Sequence, residues 1–376
     1  MKKVIISLLI FFIVCCSNKK ESFNSVNSIR LDKLSKRIKL SNYVESISLI
    51  PLEHTDKLIG KIDKFIVTKE NFIILDTYTS KAIFIFSKLG KIKKVISKIG
   101  KGPGEYVMPI NCFFDEKKQK LYVLDLTLRK VIEYNINGEF ISEFKIPFGS
   151  FSFTKTLNGN FLFSAGTFTD QNKGFEFLTT DSLGNSLNKS FKLAVAFTNL
   201  NIGNNKEIYF QKDSIFVVPK FANTIFRFIN GSLEPILKLD FGRYKIPVNF
   251  FKEDESKNKK ISKLMNSEFV YSLSNFSATE NYFIFTIFSE KHNHLFFINR
   301  KTNDYTSGYI IIDDIKYLGF PQTFVAYENL IYGAFDNWQI LDLKKVMPKS
   351  IFPDKLKNVN YLSNPVIAIY KLKDEK

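Results

Sequence analysis

Residues 71–76 read Asn-Phe-Ile-Ile-Leu-Asp, residues 81–86 read Lys-Ala-Ile-Phe-Ile-Phe, and Leu89-Gly90 follows. The same arrangement returns in residues 120–138, with its aspartate 49 positions and its glycine 48 positions further along the chain. Apolar runs of this length between turn residues indicate strands that are buried on both faces. One such sheet cannot cover both of its own faces, so the sequence predicts sheets that pack against one another.

The pattern occurs six times in the chain. Later copies begin at Asn160, Ser214, Tyr282 and Asn329. A period of about 40–50 residues is the size of a four-stranded propeller blade, and six copies predict an all-β protein with a six-bladed β-propeller.

Three segments complete this prediction. The spacing between the fourth and fifth copies is long, and its surplus, residues 246–268, predicts a short helical insertion between blades four and five. Residues 338–341 are predicted to be a strand of the sixth copy. Residues 43–52 and 364–372 alternate as strands, and we expect the N-terminal strand to complete the last blade beside C-terminal strands, because separate strands would expose unpaired edges.

The N-terminus resembles a bacterial lipoprotein signal. A basic start precedes an apolar run at residues 4–14, which is too short to span a bilayer and is followed by Cys15-Cys16. Residues 1–15 are therefore predicted to be a signal peptide, and Cys16 the acylated residue that attaches the chain to a lipid bilayer. Cys16 is favoured over Cys15 because cysteine is smaller than valine as the residue before the cut. An ordinary signal peptide with incidental cysteines is the alternative.

The rest of the chain divides in two. Residues 16–41 are polar and rich in Lys, Ser and Asn, and they are predicted to form a flexible tether. Residues 42–376 are predicted to form the propeller domain. With Cys15 removed and Cys16 acylated, Cys112 is alone, so no intramolecular disulfide is expected. Its apolar neighbours predict a small buried side chain rather than a nucleophile.

The charge is strongly positive but dispersed. The formal net charge is +17, from 54 Lys and Arg against 37 Asp and Glu, and removing Lys2 and Lys3 leaves 17 − 2 = +15. Only six of the basic residues are arginines, and the lysines alternate with apolar residues as on solvated strand faces. Proteins that read nucleic acids cluster their charge and favour arginine, so no nucleic-acid partner is predicted. An anionic membrane surface or glycan fits this charge better.

A glycine-rich stretch carries a resemblance to a known family. Residues 99–106 read Ile-Gly-Lys-Gly-Pro-Gly-Glu-Tyr, three residues before Pro109, and resemble the blade junction of NHL-type propellers. A phosphate-binding loop is excluded because Gly104 precedes Glu-Tyr and a strand rather than Lys-Ser/Thr and a helix. The chain from about residue 43 onward is similar to the six-bladed propeller lipoproteins of Bacteroidetes. That resemblance implies a place at the bacterial outer membrane, either periplasmic or surface-exposed.

Strand direction predicts one functional rim. Neighbouring strands in a blade run in opposite directions. The turns between second and third strands therefore lie on the same face of the propeller as the connections between blades. Loops on a rigid scaffold are where function concentrates. The candidate ligand-binding residues expected around the channel mouth on that face are Tyr78, Glu105, Arg129, His292, His294 and Trp338.

Each candidate has a structural alternative. Glu105 would only cap its crossover, Trp338 would only pack its blade, and the histidines would be solvated rather than metal ligands. Asp76 and Asp125 are expected to fix their turns through backbone hydrogen bonds.

No catalytic motif is found, and no catalytic residue, metal site or cofactor is predicted. The chain contains no nucleophile elbow, no His-Glu-x-x-His and no complete Ser/His/Asp pattern. The sequence favours a non-enzymatic binding or scaffold module for a glycan, a peptide or a partner protein. A metal-dependent hydrolase or lyase with its site in the central channel is the alternative, because propellers that resemble this chain include lyases and calcium-dependent lactonases.

Overall fold

The computed structural model describes residues 28–31, 34–166, 168, 172–198, 200, 202, 207–252 and 255–373. The predicted signal peptide, the predicted lipidation of Cys16 and the first twelve residues of the predicted tether lie outside these ranges. None of the helices within the described ranges is long and apolar enough to cross a membrane.

Three strands precede the first blade. They are β1 (Ser28–Arg30), β2 (Arg37–Lys39) and β3 (Val44–Pro51).

The first three blades are four-stranded antiparallel sheets in chain order. Blade one consists of β4 (Lys64–Val67), β5 (Asn71–Asp76), β6 (Ala82–Ser87) and β7 (Ile92–Ile96). Blade two consists of β8 (Pro109–Asp115), β9 (Lys120–Asp125), β10 (Lys130–Asn135) and β11 (Phe140–Lys145). Blade three consists of β12 (Ser152–Lys155), β13 (Phe161–Ser164), β14 (Phe175–Thr180) and β15 (Ser186–Lys192).

The last three blades add strands from outside the repeat. Blade four consists of β16 (Ile208–Gln211), β17 (Ser214–Val217), β18 (Thr224–Ile229) and β19 (Ser232–Asp240), with β1 on its edge. Helix α1 (Lys257–Met265) lies in the connection to blade five, which consists of β20 (Ser272–Ala278), β21 (Tyr282–Ser289), β22 (His292–Asn299) and β23 (Tyr305–Gly308). After β24 (Ile310–Ile312), blade six consists of β25 (Phe324–Tyr327), β26 (Leu330–Phe335), β27 (Val366–Leu372) and β3, with helix α2 (Asn337–Val346) before β27.

The six blades form a closed ring. The first strand of each blade is innermost and contacts the first strands of the two neighbouring blades, ending with β25 against β4. The ring closes as predicted, because β3 pairs with β27 in antiparallel register, with Ala368 opposite Leu49. We call the end with the connections between blades the crossover face. The opposite end, with the turns between first and second strands, is the inner-turn face.

Burial on both faces explains why these strands build a ring. In β5, Phe72 and Ile74 pack between blades six and one, whereas Ile73 and Leu75 pack between blades one and two. All four are fully buried. A separate hydrophobic cluster fills each of the six spaces between blades. The continuous apolar runs are therefore shared between two neighbouring cores.

Buried aspartates fix the turns in the first two blades, as expected. Asp76 accepts hydrogen bonds from the backbone N–H groups of Gly60 (2.8 Å) and Thr79 (2.9 Å). Asp125 accepts them from three backbone N–H groups, at 2.5–2.9 Å, in residues 107, 108 and 128. Each carboxylate thus ties the turn between the second and third strands to the connection that enters its own blade.

The prediction of a strand at residues 338–341 is wrong. These residues belong to α2, whose first turn is stabilised by a capping box in which the Gln339 side chain accepts from the backbone N–H of Asp336 at 2.9 Å. A capping box satisfies backbone donors that a helix start leaves free, and it favours helix over strand here. The third strand of blade six is β27, further along the chain.

The predicted tether also differs from the structure in its described part. Within residues 28–41, β1 pairs in parallel with β19, and β2 pairs in parallel with β24. The reason is the alternation of buried apolar side chains in this otherwise polar segment: Ile29, Leu31, Ile38 and Leu40. The structured part of the chain therefore begins at least as early as residue 28.

Candidate functional site: the axial cavity

A cavity of about 700 Å³ lies along the propeller axis. Its wall contains residues of the innermost strands of all six blades, together with inner-turn residues of most blades. The cavity reaches the surface on the inner-turn face, where its lining includes Leu157, which is 71% exposed. Ligand pockets in proteins commonly have volumes of about 300–1,000 Å³, so this cavity has the size of a small-molecule site.

The wall is largely apolar because most of the residues that the innermost strands contribute to it are apolar. Its aromatic members include Phe113, Phe153, Tyr209, Phe276 and Phe324. Phe113 of blade two also meets Phe210 of blade four, with ring centroids 5.0 Å apart in a T-shaped arrangement. Rings from different blades therefore contribute to one continuous apolar surface.

Charged groups are distributed unevenly along the cavity. Among the wall residues of the innermost strands, Lys64, Asp115 and Lys155 are charged. Lys64 is the first residue of its strand, at the crossover end, whereas Asp115 and Lys155 are the last residues of theirs, at the mouth. The other carboxylates of the lining lie in the inner turns: Glu116, Asp213 and Glu328. Of those, Asp213 pairs with Lys117 at 2.7 Å. Among the described residues, the crossover end of the cavity thus has Lys64 in its lining and no carboxylate.

The two wall lysines differ in their surroundings. Lys155 Nζ donates to the Tyr122 hydroxyl at 2.6 Å and lies 4.5 Å from the centre of that ring. Lys64 is the first residue of β4, and its side chain makes no hydrogen bond or ion pair with any described residue. Burial lowers the pKa of Lys64. Burial also raises the pKa of the neighbouring Cys112 thiol to about 12, so this thiol is neutral at physiological pH.

The six residues predicted to bind a ligand around the channel mouth lie outside the axial cavity. Strand order places all six on the crossover face. Tyr78 and Trp338 are 56% and 55% exposed. The Lys61 ammonium lies 5.9 Å from the centre of the Tyr78 ring and 3.4 Å from the Asp63 carboxylate.

Glu105 lies in the connection that enters blade two, and Arg129 lies in the turn between β9 and β10 of that blade. The Glu105 carboxylate accepts the backbone N–H of Gly102 at 2.9 Å and therefore caps its crossover, which is the structural alternative. Arg129 is exposed and has a positive φ of 50°. A ligand-binding role for either residue stays a prediction.

The two histidines lie beside the N-terminal segment. His292 stacks on Tyr309 with ring centroids 4.1 Å apart, and Tyr309 directly precedes β24, the partner of β2. His294 is fully buried, and burial, followed by the charge of His292, lowers its pKa to about 4. Within the described ranges, no three His, Cys, Asp or Glu side chains are grouped so that they could hold a metal ion.

Sequence reasoning missed a buried charged cluster between blades three and four. Glu176, Glu207 and Lys220 are each at most 8% exposed, and Lys220 Nζ lies 3.6 Å from Glu207 Oε1. The Lys220 backbone N–H donates to Glu176 at 3.0 Å. Burial and the charge of Glu207 raise the pKa of Glu176 well above its ordinary value. The available signal was a glutamate inside the apolar run at residues 175–178.

The fold and the cavity define a six-bladed β-propeller with a ligand-sized axial site. The chain belongs to the family described as a domain of unknown function (DUF4934), whose model matches residues 26–371.

Solved structures show the same fold. A candidate exported protein of Bacteroides fragilis is 20% identical, with a TM-score of 0.78, and the match covers 93% of this chain and all of that one. A member of the DUF4221 family from Bacteroides vulgatus is 12% identical, with a TM-score of 0.57 and coverage of 88% and 98%. Among curated proteins, none matches the chain.

Proposed function

We propose that this chain is an exported, lipid-anchored propeller that acts as a non-enzymatic binding module and holds a small, largely apolar ligand in its axial cavity. The observation that carries the proposal is the cavity itself, with a volume of about 700 Å³ and an aromatic wall that reaches the inner-turn face. Burying apolar ligand surface there would contribute roughly 25 cal/mol per Å² before the costs of association.

The test uses Nile red, an uncharged dye whose fluorescence rises in apolar surroundings. Val325 lines the cavity, so Val325→Trp is expected to fill it and to reduce dye binding at least tenfold. The control is Leu183→Trp, at a position that is 71% exposed and does not line the cavity. Equal binding by both variants and the wild type would exclude the cavity as the site.

The proposed export and lipid anchoring are supported by the sequence of residues 1–16, and export is also supported by the similarity to a candidate exported protein. Metabolic labelling with a palmitate analogue in the native host tests the lipid anchoring. We expect Cys16→Ser to lose the label and Cys15→Ser to keep it. Label on the Cys16→Ser protein, or an unlabelled wild type, would contradict lipid anchoring at this residue. Protease treatment of whole cells would then distinguish surface exposure from a periplasmic location at the outer membrane.

The crossover face supplies a second surface for a glycan, peptide or partner protein. Exposed Tyr78 and Trp338 support this part of the proposal, because aromatic side chains that are accessible on one face are the platforms such ligands use. Loss of glycan or peptide binding in Tyr78→Ala and Trp338→Ala variants would be the expected result on an array. The metal-dependent hydrolase or lyase has no observation among the described residues in its favour.

A further inference from the structure

We propose that the ligand of the axial cavity is an organic anion with an apolar body, whose negatively charged head pairs with Lys64. This inference rests on the proposed function and names the chemical class of the ligand. It follows from the position of one lysine, from the distribution of charge along the cavity and from the state of the neighbouring thiol.

Lys64 lies at the inner end of the cavity. It is the first residue of β4, and β4 runs from the crossover face to the inner-turn face, where the cavity opens. The mouth lies beyond the last residue of that strand. At about 3.3 Å per residue, the four residues of β4 span roughly 13 Å. A ligand that enters from the mouth must therefore carry its head at the leading end and an elongated apolar body behind it.

No protein anion in the described part of the chain is available to Lys64 at its end of the cavity. The carboxylates of the lining lie at the mouth, in the inner turns and at the last residue of β8. Two of them are already engaged: Asp115 accepts the backbone N–H of Lys118 at 3.1 Å, and Glu116 accepts that of Lys69 at 2.7 Å. The second wall lysine, Lys155, is occupied by the Tyr122 hydroxyl and ring.

The neighbouring thiol does not neutralise Lys64 either. Cys112 is fully buried, and its raised pKa keeps it protonated. An ammonium without a counter-ion in apolar surroundings is costly to keep charged. An anionic head placed beside it would remove that cost and add a charge-assisted hydrogen bond. An uncharged ligand of the same shape would gain neither, so the cavity should discriminate between them.

The experiment compares two probes on the full chain: 11-(dansylamino)undecanoic acid and its methyl ester, followed by dansyl fluorescence. They share one apolar body and differ in the charge of the head. We expect the wild type to bind the acid at least tenfold more tightly than the ester. Lys64→Met should abolish that preference by weakening acid binding tenfold or more while ester binding stays the same.

Two further variants make the test specific. Lys64→Arg keeps a cation at the same position and should retain the preference for the acid. Lys94→Met removes an exposed lysine of the same blade that does not line the cavity, and it should leave both affinities unchanged. Because Lys64→Met alone could fail to fold, its melting curve and its ester affinity are read first. If it does not fold, Lys64→Gln takes its place.

The outcomes separate this inference from the proposed function. Equal affinity of the wild type for acid and ester, with Nile red still bound and blocked by Val325→Trp, would overturn the anion and leave the cavity as a binding site. A preference for the acid that survives in Lys64→Met would also overturn the inference. Failure of Nile red and both dansyl probes to bind would overturn the two proposals together.

Discussion

Lys88 offers the sharpest test of how burial and aromatic contacts compete in this protein. It follows β6 on the inner-turn face, and its ammonium lies 4.6, 5.3 and 4.3 Å from the ring centres of Phe72, Tyr327 and Tyr332. The Lys88 Nζ atom is buried without a hydrogen bond to any described residue. Burial, partly offset by nearby carboxylates such as Glu328, lowers its pKa to about 8 from 10.5.

The magnitude follows from these contacts. A pKa lowered by 10.5 − 8 = 2.5 pH units corresponds to about 3 kcal/mol against the charged form. That difference is the net cost of keeping this lysine charged in the folded protein, because a pKa reflects all interactions of the charged form, its contacts with the three rings included. Methionine has a similar length, carries no charge and packs well on aromatic rings. We expect Lys88→Met to raise the free energy of unfolding by about 3 kcal/mol at pH 7.

The pH dependence of stability shows whether folding lowers or raises the pKa of Lys88. The folded-state pKa of Lys88 lies below its unfolded value, so between pH 8 and 10.5 the unfolded chain binds more protons. The stability of the wild type should therefore rise with pH across this window, relative to Lys88→Met, and the advantage of the variant should vanish above it. Urea unfolding at a series of pH values measures both effects. The control is Lys94→Met, on the exposed face of β7 in the same blade.

One result would refute this reasoning. If Lys88→Met loses more than about 1 kcal/mol at pH 7, the ring contacts outweigh the cost of burial. In that case the folded-state pKa of Lys88 is raised rather than lowered, and the wild type would lose stability relative to the variant as the pH rises.

Three further predictions concern the framework of the ring. Asp125→Ala should lower the free energy of unfolding by about 3 kcal/mol, because three backbone N–H groups lose a charged acceptor; a loss below about 1 kcal/mol in urea unfolding would contradict this. Gly90→Ala should destabilise more than Gly231→Ala: both have positive φ, but a Cβ at Gly90 would lie 2.6 Å from the Pro51 carbonyl oxygen, and one at Gly231 meets nothing within 4 Å. Equal melting temperatures would exclude that contact as the cause. Cys112 should resist Ellman's reagent in the native protein and react at once in urea, since its thiol is buried with a pKa of about 12; rapid native labelling would contradict this burial.

The propeller ring could be predicted from the sequence because the pattern that produces it is contained in short segments of the chain. The apolar runs at residues 71–76 and 120–125 need cover on both faces, and only stacking of repeated sheets supplies it. The closing strand followed from the same alternation in residues 43–52. The helix α2 carried a usable signal, Asp336 with Gln339 three residues later, but an apolar Ile340-Leu341 pair matched the repeat and favoured the strand.

The cavity could not be predicted in the same way. Its volume depends on how far apart six short innermost strands stand, and that distance is set by packing between blades rather than by any one segment. Lys64 begins a run that reads Lys-Phe-Ile-Val, like several solvated strand starts in this chain. Only the closed ring shows that this lysine faces the axis. The crossover face was favoured because the connections between blades and the turns between second and third strands lie there, whereas the cavity reaches the opposite end.

The pairing of β3 with β27 also has a consequence for how the chain matures. Residues 44–51 are synthesised more than 300 residues before their partner, residues 366–372. Until residues 366–372 are made, the edge of β3 that pairs with β27 is open, and the ring has a gap between its first and last blades. Exposed strand edges of this kind invite wrong pairing. A nascent or translocating chain therefore needs protection until residues 366–372 are available, and a truncation near residue 365 would remove the strand that closes the ring.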